Sequence, residues 1–163
     1  MFADALLARA TGLIALYRES RLTFASAESC TGGLIGALVT AVPGSSDVYE
    51  RGFVTYSNAA KVESLGVEAA LIERVGAVSA EVATAMAAGV LTHSPADVAV
   101  SVTGIAGPGG GSPAKPVGLV FFGCARRGAE PRILERRFGD LGRDGIRMAA
   151  VAVALDLLEA AAR

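Results

Sequence analysis

The segment from Asp97 to Gly104, DVAVSVTG, is apolar at almost every position. A strand that meets a core on both faces reads as a continuous apolar run, whereas a half-solvated strand alternates. This one is therefore expected at the centre of a sheet with helices layered on both sides. Around it the chain alternates between the two periodicities. Helices are expected near 2–19, 32–41, from about 58, at 68–75, 79–92 and 143–162, and strands at 22–27, 51–57, 97–103, 117–125 and 131–138. The order predicts an α/β fold, a three-layer α/β/α sandwich around a mostly buried central sheet.

No repeat, charge block or low-complexity linker divides the 163 residues, so a single domain is expected over 1–163. A chain of this length with 52% hydrophobic residues has enough apolar surface for one core, burying roughly 70% of what the unfolded chain exposes. Its 15 basic and 16 acidic residues give a net charge of −1, which supplies no field for nucleic acid or anionic membrane. No apolar run approaches the length of a bilayer span, and the N-terminal stretch reads as an amphipathic helix. Cys30 and Cys124 are too few for a disulfide framework, and without CxxC or clustered histidines no metal site is expected. A reducing, cytoplasmic setting follows as the default expectation.

Two junctions concentrate chemistry: AESCTGG at 27–33, between the β-prone LTFAS and the apolar LIGALVTA, and the glycine loop SVTGIAGPGGGSPAKPVG at 101–118. Ligands of open α/β sheets bind beyond the carboxyl ends of the strands, so both junctions are candidates for one crevice. Gly104, Gly107, Gly109, Gly110 and Gly111 permit close backbone approach, and Pro108, Pro113 and Pro116 stiffen the loop. The loop matches neither a Walker sequence nor a dinucleotide fingerprint, which argues against a nucleotide triphosphatase. At 27–33 a helix N-terminus offers unpaired amides, and Ser29, Cys30 and Thr31 are candidates for nucleophile or for simple helix cap.

A serine nucleophile needs a base. The only histidine, His93, lies in LTHSPAD, which reads as a solvated connection, so attention moves to the two lysines, Lys61 and Lys115. Lys61 follows RGFVTYS, where Ser57 or Asn58 could cap a helix that carries it inward. To serve as a base near neutrality its pKa would have to fall by about three units, worth about 4 kcal/mol, which burial can supply. Lys115 in the glycine loop could meet a phosphate. Arg143 and Arg147 share one face at the start of the last helix, where cations oppose the dipole, so they are candidates for an anion or for ion pairs with Asp140 or Asp144.

The long motifs AESCTGGLIGALVTAVPGSSDVYERGFVTYSNAAKVESLGV, GAVSAEVATAMAAG and ADVAVSVTGIAGPGGGSPAKPVGLV, with a closing R…IR, resemble the CinA C-terminal domain family, the nicotinamide-nucleotide amidohydrolases. The resemblance implies hydrolysis of nicotinamide mononucleotide (NMN) to nicotinic acid mononucleotide and ammonia, with no metal or other cofactor, in a chain that self-associates as a homo-oligomer. Bifunctional members carry a further N-terminal domain that 163 residues cannot hold, so a stand-alone deamidase is expected. Carried over position by position, the nucleophile matches Ser29, the base Lys61 and the active-site tyrosine Tyr56. Thr103 and the glycines beside it, Gly104 and Gly107, match the substrate loop, and Arg143 matches the arginine of a GDR motif that reads FGDLGRDGIR here. Amides from Thr31 through Gly32 to Gly33 are expected to hold the oxyanion, and the glycine loop, Thr103 and Arg143 the ribose phosphate. Two rival readings are a pyridine-nucleotide binding module without catalysis and a cysteine amidase built on Cys30.

Overall fold

The computed structural model describes residues 2–163. Its sheet has five strands: β1 (Phe24–Glu28), β2 (Tyr49–Val54), β3 (Val98–Gly104), β4 (Leu119–Arg126) and β5 (Arg132–Arg137), in the spatial order β2-β1-β3-β4-β5. β1 pairs in parallel with β2 and with β3, while β3–β4 and β4–β5 are antiparallel, so the sheet is mixed. β3 is the middle strand and is buried from Val98 to Thr103, as its continuous apolar run requires. The edges differ from the expected burial. β5, RILERR, is mostly exposed, and its charges suit a free edge that must not recruit another strand.

Helices α1 (Asp4–Ser20), α2 (Leu34–Thr40) and α6 (Gly142–Ala161) cover one face. There Leu13, Tyr17, Phe24, Leu38, Phe122 and Leu155 close a core in which each fully buried large side chain contributes about 1.5–3 kcal/mol. The Tyr17 hydroxyl reaches the Leu158 carbonyl at 2.9 Å, so the one polar atom it carries inside is paired. Helices α3 (Asn58–Leu65), α4 (Ala69–Val75) and α5 (Ala80–Thr92) cover the other face through Leu65, Ile72, Val82, Met86 and Val90. Gly89 lets α5 lie against α3, since a Cβ there would collide with the Leu65 carbonyl. No helix among the described residues is long and apolar enough to cross a membrane.

Two boundaries depart from expectation for identifiable reasons. α2 starts at Leu34 rather than 32 because Gly32 and Gly33 take φ of +59° and +96°, which no helix accommodates. β2 ends at Val54 rather than 57: Thr55 still donates to the Glu28 carbonyl at 2.9 Å, and Ser57 then caps α3 by accepting from the Ala60 amide at 3.0 Å. These shifts matter for the site. The parallel strands β1, β2 and β3 end at one edge of the sheet, β4 begins there opposite Gly104, and Arg137 at the end of β5 pairs with Leu119. Four connections therefore meet at that edge: β1–α2, β2–α3, β3–β4 and β5–α6.

Candidate active site

Ser29, first residue after β1, has its amide bonded to the Val102 carbonyl at 3.0 Å, which fixes its position against β3. Lys61, in the first turn of α3, turns inward and is only 1% exposed. Its Nζ donates to Ser29 Oγ at 3.0 Å and to the Thr55 carbonyl at 2.8 Å. Among the described residues no carboxylate forms an ion pair with it. A buried ammonium without an anion is costly, and burial accordingly holds the Lys61 pKa below the ordinary lysine value. In the neutral amine one N–H points at the Thr55 carbonyl, leaving the lone pair able to face the Ser29 hydroxyl.

Ser29 and Cys30 open onto a cleft of about 250 Å³ whose other walls are Tyr56, Gly104 to Gly107, Gly109, Gly110 and Arg143. Arg143 spans it, donating to the Gly107 carbonyl at 2.7 Å and to the Tyr56 hydroxyl at 3.1 Å. Both acceptors are neutral, and among the described residues Arg143 has no ion pair, so its charge is uncompensated at the mouth of the cleft. Cys30 is buried, and burial pushes its thiol up to about 11, so the thiolate needed for nucleophilic attack is scarce at neutral pH.

A family model of the CinA C-terminal domain matches residues 7–162. The chain belongs to that family. The CinA-like protein of Geobacter metallireducens is 49% identical over 154 residues, covering 91% of this chain and 35% of that protein. That of Chlorobaculum tepidum is 58% identical over 115 residues, covering 71% and 27%. The chain thus spans about a third or less of the length of these curated relatives. Among solved structures, the competence/damage-inducible protein CihA of Agrobacterium tumefaciens superposes with a TM-score of 0.97 at 46% identity, covering 100% of this chain and 99% of that one. The CinA superfamily protein of Escherichia coli superposes at 0.89 with 32% identity, over 97% and 92%.

Of the residues that the CinA resemblance singles out, Ser29, Lys61, Tyr56, Gly104, Gly107 and Arg143 meet at the cleft. Thr103, and the candidates read from residue chemistry alone, are placed elsewhere. Thr103 is buried and gives its hydroxyl to the Ala77 carbonyl at 2.9 Å, so it braces the α4–α5 connection rather than facing the cleft. Lys115 Nζ donates to the Val75 carbonyl at 2.6 Å, tying the glycine loop to the end of α4, and Lys115 does not line the cleft. His93 packs beside Gly66 with Nδ1 2.9 Å from the Gly89 carbonyl, remote from the cleft.

Of the expected oxyanion cradle at Thr31 to Gly33, the Gly32 and Gly33 amides already have internal partners, the latter in a residue the sequence reading passed over. The buried carboxylate of Glu28 accepts the amides of Gly33 at 2.9 Å, Ile35 at 3.1 Å and Gly36 at 3.0 Å, so the start of α2 is already complemented from inside. Gly32 gives its amide to the Ser29 carbonyl at 3.0 Å. Arg147, the second arginine at the start of α6, faces this turn instead of the cleft, reaching the carbonyls of Cys30 at 3.2 Å and Thr31 at 3.1 Å. The sequence signal for Glu28 was available: a carboxylate at the end of a buried strand, immediately before a Gly-Gly turn and a helix start.

Proposed function

We propose that this protein hydrolyses the carboxamide of NMN, giving nicotinic acid mononucleotide and ammonia, with Ser29 as nucleophile and Lys61 as general base. The observation that carries the reading is the buried Lys61 amine 3.0 Å from Ser29 Oγ, with no carboxylate partner among the described residues and its pKa lowered by burial. A serine hydroxyl is a weak nucleophile until a neutral base takes its proton, and this contact is such a pairing. The substrate assignment rests on the likeness to the nicotinamide-nucleotide amidohydrolases, and the uncompensated Arg143 at the cleft mouth suits the ribose phosphate.

In this mechanism Lys61 accepts the Ser29 proton as Oγ forms its bond to the carboxamide carbon. The resulting ammonium delivers that proton to the amide nitrogen as the carbon–nitrogen bond breaks, releasing ammonia and leaving an acyl-serine. Water then adds to the acyl carbon, giving one proton to Lys61, which returns it to Ser29 as the acid departs. Tyr56, beside Arg143, closes the outer wall. Ammonia release from NMN by the purified protein tests the reading. Ser29→Ala and Lys61→Met should each lower kcat by at least about 10³-fold. Tight NMN binding by a wild-type protein that releases no ammonia would favour the binding-module reading instead.

A further inference from the structure

We propose that Arg147 is the positioning residue for the oxyanion: by holding the carbonyls of Cys30 and Thr31, it aims the amides of Cys30 and Thr31 away from the α2 start and leaves them free for the reacting oxygen. The inference rests on the deamidase reading for its chemistry and on the turn's own hydrogen bonds for its geometry.

The turn accounts for its polar groups one by one. Glu28 takes the amides of Gly33, Ile35 and Gly36, the Ser29 carbonyl takes the amide of Gly32, and the Thr31 carbonyl takes the amide of Leu34 at 3.3 Å. The amides of Cys30 and Thr31 donate to no backbone or side-chain oxygen among the described residues. In a planar trans peptide the C=O and N–H point in opposite directions. Fixing the Cys30 carbonyl on Arg147 Nε therefore fixes the Thr31 amide on the far side of that peptide plane. Arg147 at 3.1 Å, together with the Leu34 amide, fixes the Thr31 carbonyl, which holds the Gly32 amide against the Ser29 carbonyl and in turn orients the Cys30 amide. Cys30 lies beside Ser29 in the wall of the cleft, and the amide following a nucleophile is well placed for the oxyanion that the nucleophile creates.

The only ion pair of this guanidinium among the described residues is a long one, to Asp144 at 4.0 Å, and Asp144 is almost wholly exposed, so the pair competes weakly with the two carbonyls. A second arginine one helical turn beyond Arg143 thus has a different task, shaping the turn instead of meeting a phosphate.

Arg147→Ala, Arg147→Lys and wild type are compared on NMN. Arg147→Ala should lower kcat about 10²-fold with KM changed less than about threefold, because a misaimed oxyanion donor affects the transition state and not the bound substrate. Arg147→Lys, able to reach one carbonyl but not both, should fall between, and added guanidinium ion should restore part of the kcat of Arg147→Ala. On a Ser29→Ala background, the Kd for NMN should be unchanged by Arg147→Ala. A rise in KM and Kd with kcat unchanged would make Arg147 a phosphate ligand and overturn the proposal. Backbone amide exchange gives a readout that does not depend on turnover. Exchange at the Gly32 amide, which the turn bonds to the Ser29 carbonyl, should quicken in Arg147→Ala while β3 and α5 remain protected, and unaltered exchange there would overturn the positioning role. Wild type that releases no ammonia would defeat the deamidase reading alone, leaving the exchange result to decide the geometry.

Discussion

Replacing Glu28 tests how the turn beneath Ser29 is built. Its carboxylate is 1% exposed and accepts three backbone amides, two on Oε2 and one on Oε1. Hydrogen bonds to a charged acceptor contribute about 1.5–3 kcal/mol each, and the helix dipole adds up to about 2 kcal/mol at a partly buried site. Against that stands the cost of keeping a carboxylate out of water, several kcal/mol. The balance predicts a loss of about 4 kcal/mol for Glu28→Ala, which leaves three amides without an acceptor. Glu28→Gln keeps one oxygen for two amides but sets an NH2 against the third, for a loss of about 2 kcal/mol. At roughly 2–4 °C per kcal/mol for a chain of this size, the melting temperature should fall by about 8–16 °C and 4–8 °C. Urea unfolding followed by far-ultraviolet circular dichroism suits a protein without tryptophan. A Glu28→Gln protein within about 0.5 kcal/mol of wild type would refute the claim that this carboxylate holds the start of α2.

Lys61→Met, besides losing activity, should match or exceed wild type in stability at neutral pH. The folded pKa of Lys61 is depressed, so in the window between that value and the ordinary 10.5 the unfolded chain binds more protons. Wild-type stability therefore gains from this group as pH rises through the window, and the advantage of Lys61→Met in paired urea titrations should shrink toward its upper end. The same neutral amine predicts kcat/KM rising with pH to a plateau reached below the ordinary lysine pKa, read from initial rates. Cys30→Ser should keep most of the activity, and wild type should resist thiol alkylation at neutral pH, because the thiol is buried and pushed up to about 11. Fast inactivation by alkylation with loss of kcat in Cys30→Ser would revive a cysteine amidase. Arg143→Ala should raise KM for NMN by about 10- to 10²-fold while kcat falls less, and steady-state kinetics with the free nucleoside, lacking the phosphate, should show no such difference.

Much of the architecture is legible along the chain because it depends on local patterns. DVAVSVTG announces a strand covered on both faces, and it is β3 at the centre of the sheet. Ser57 sits where a cap is expected and accepts the Ala60 amide at the start of α3. Ser29 and Lys61 were visible as residue types at two strand–helix junctions, and their motif context linked them. The mixed sheet was less accessible. Whether a strand adds in parallel or antiparallel depends on the path of its connection, and the glycine loop between β3 and β4 is short enough to make a direct antiparallel return.

The tertiary structure alone decided which polar groups face one another. The CinA resemblance assigned Thr103 to the substrate, and residue chemistry assigned Lys115 and the start of α2, because cations and helix amides suit a phosphate or an oxyanion. The fold gives each an internal partner, Ala77, Val75 and Glu28, before any ligand arrives. Arg143 and Arg147 are four residues apart on one helix and look alike in sequence, yet one crosses the cleft and the other grips the turn behind Ser29. Side-chain chemistry restricts what a residue is able to bind. Which binding it performs is set by the nearest unsatisfied group, and that neighbour is chosen by packing between elements far apart in the chain.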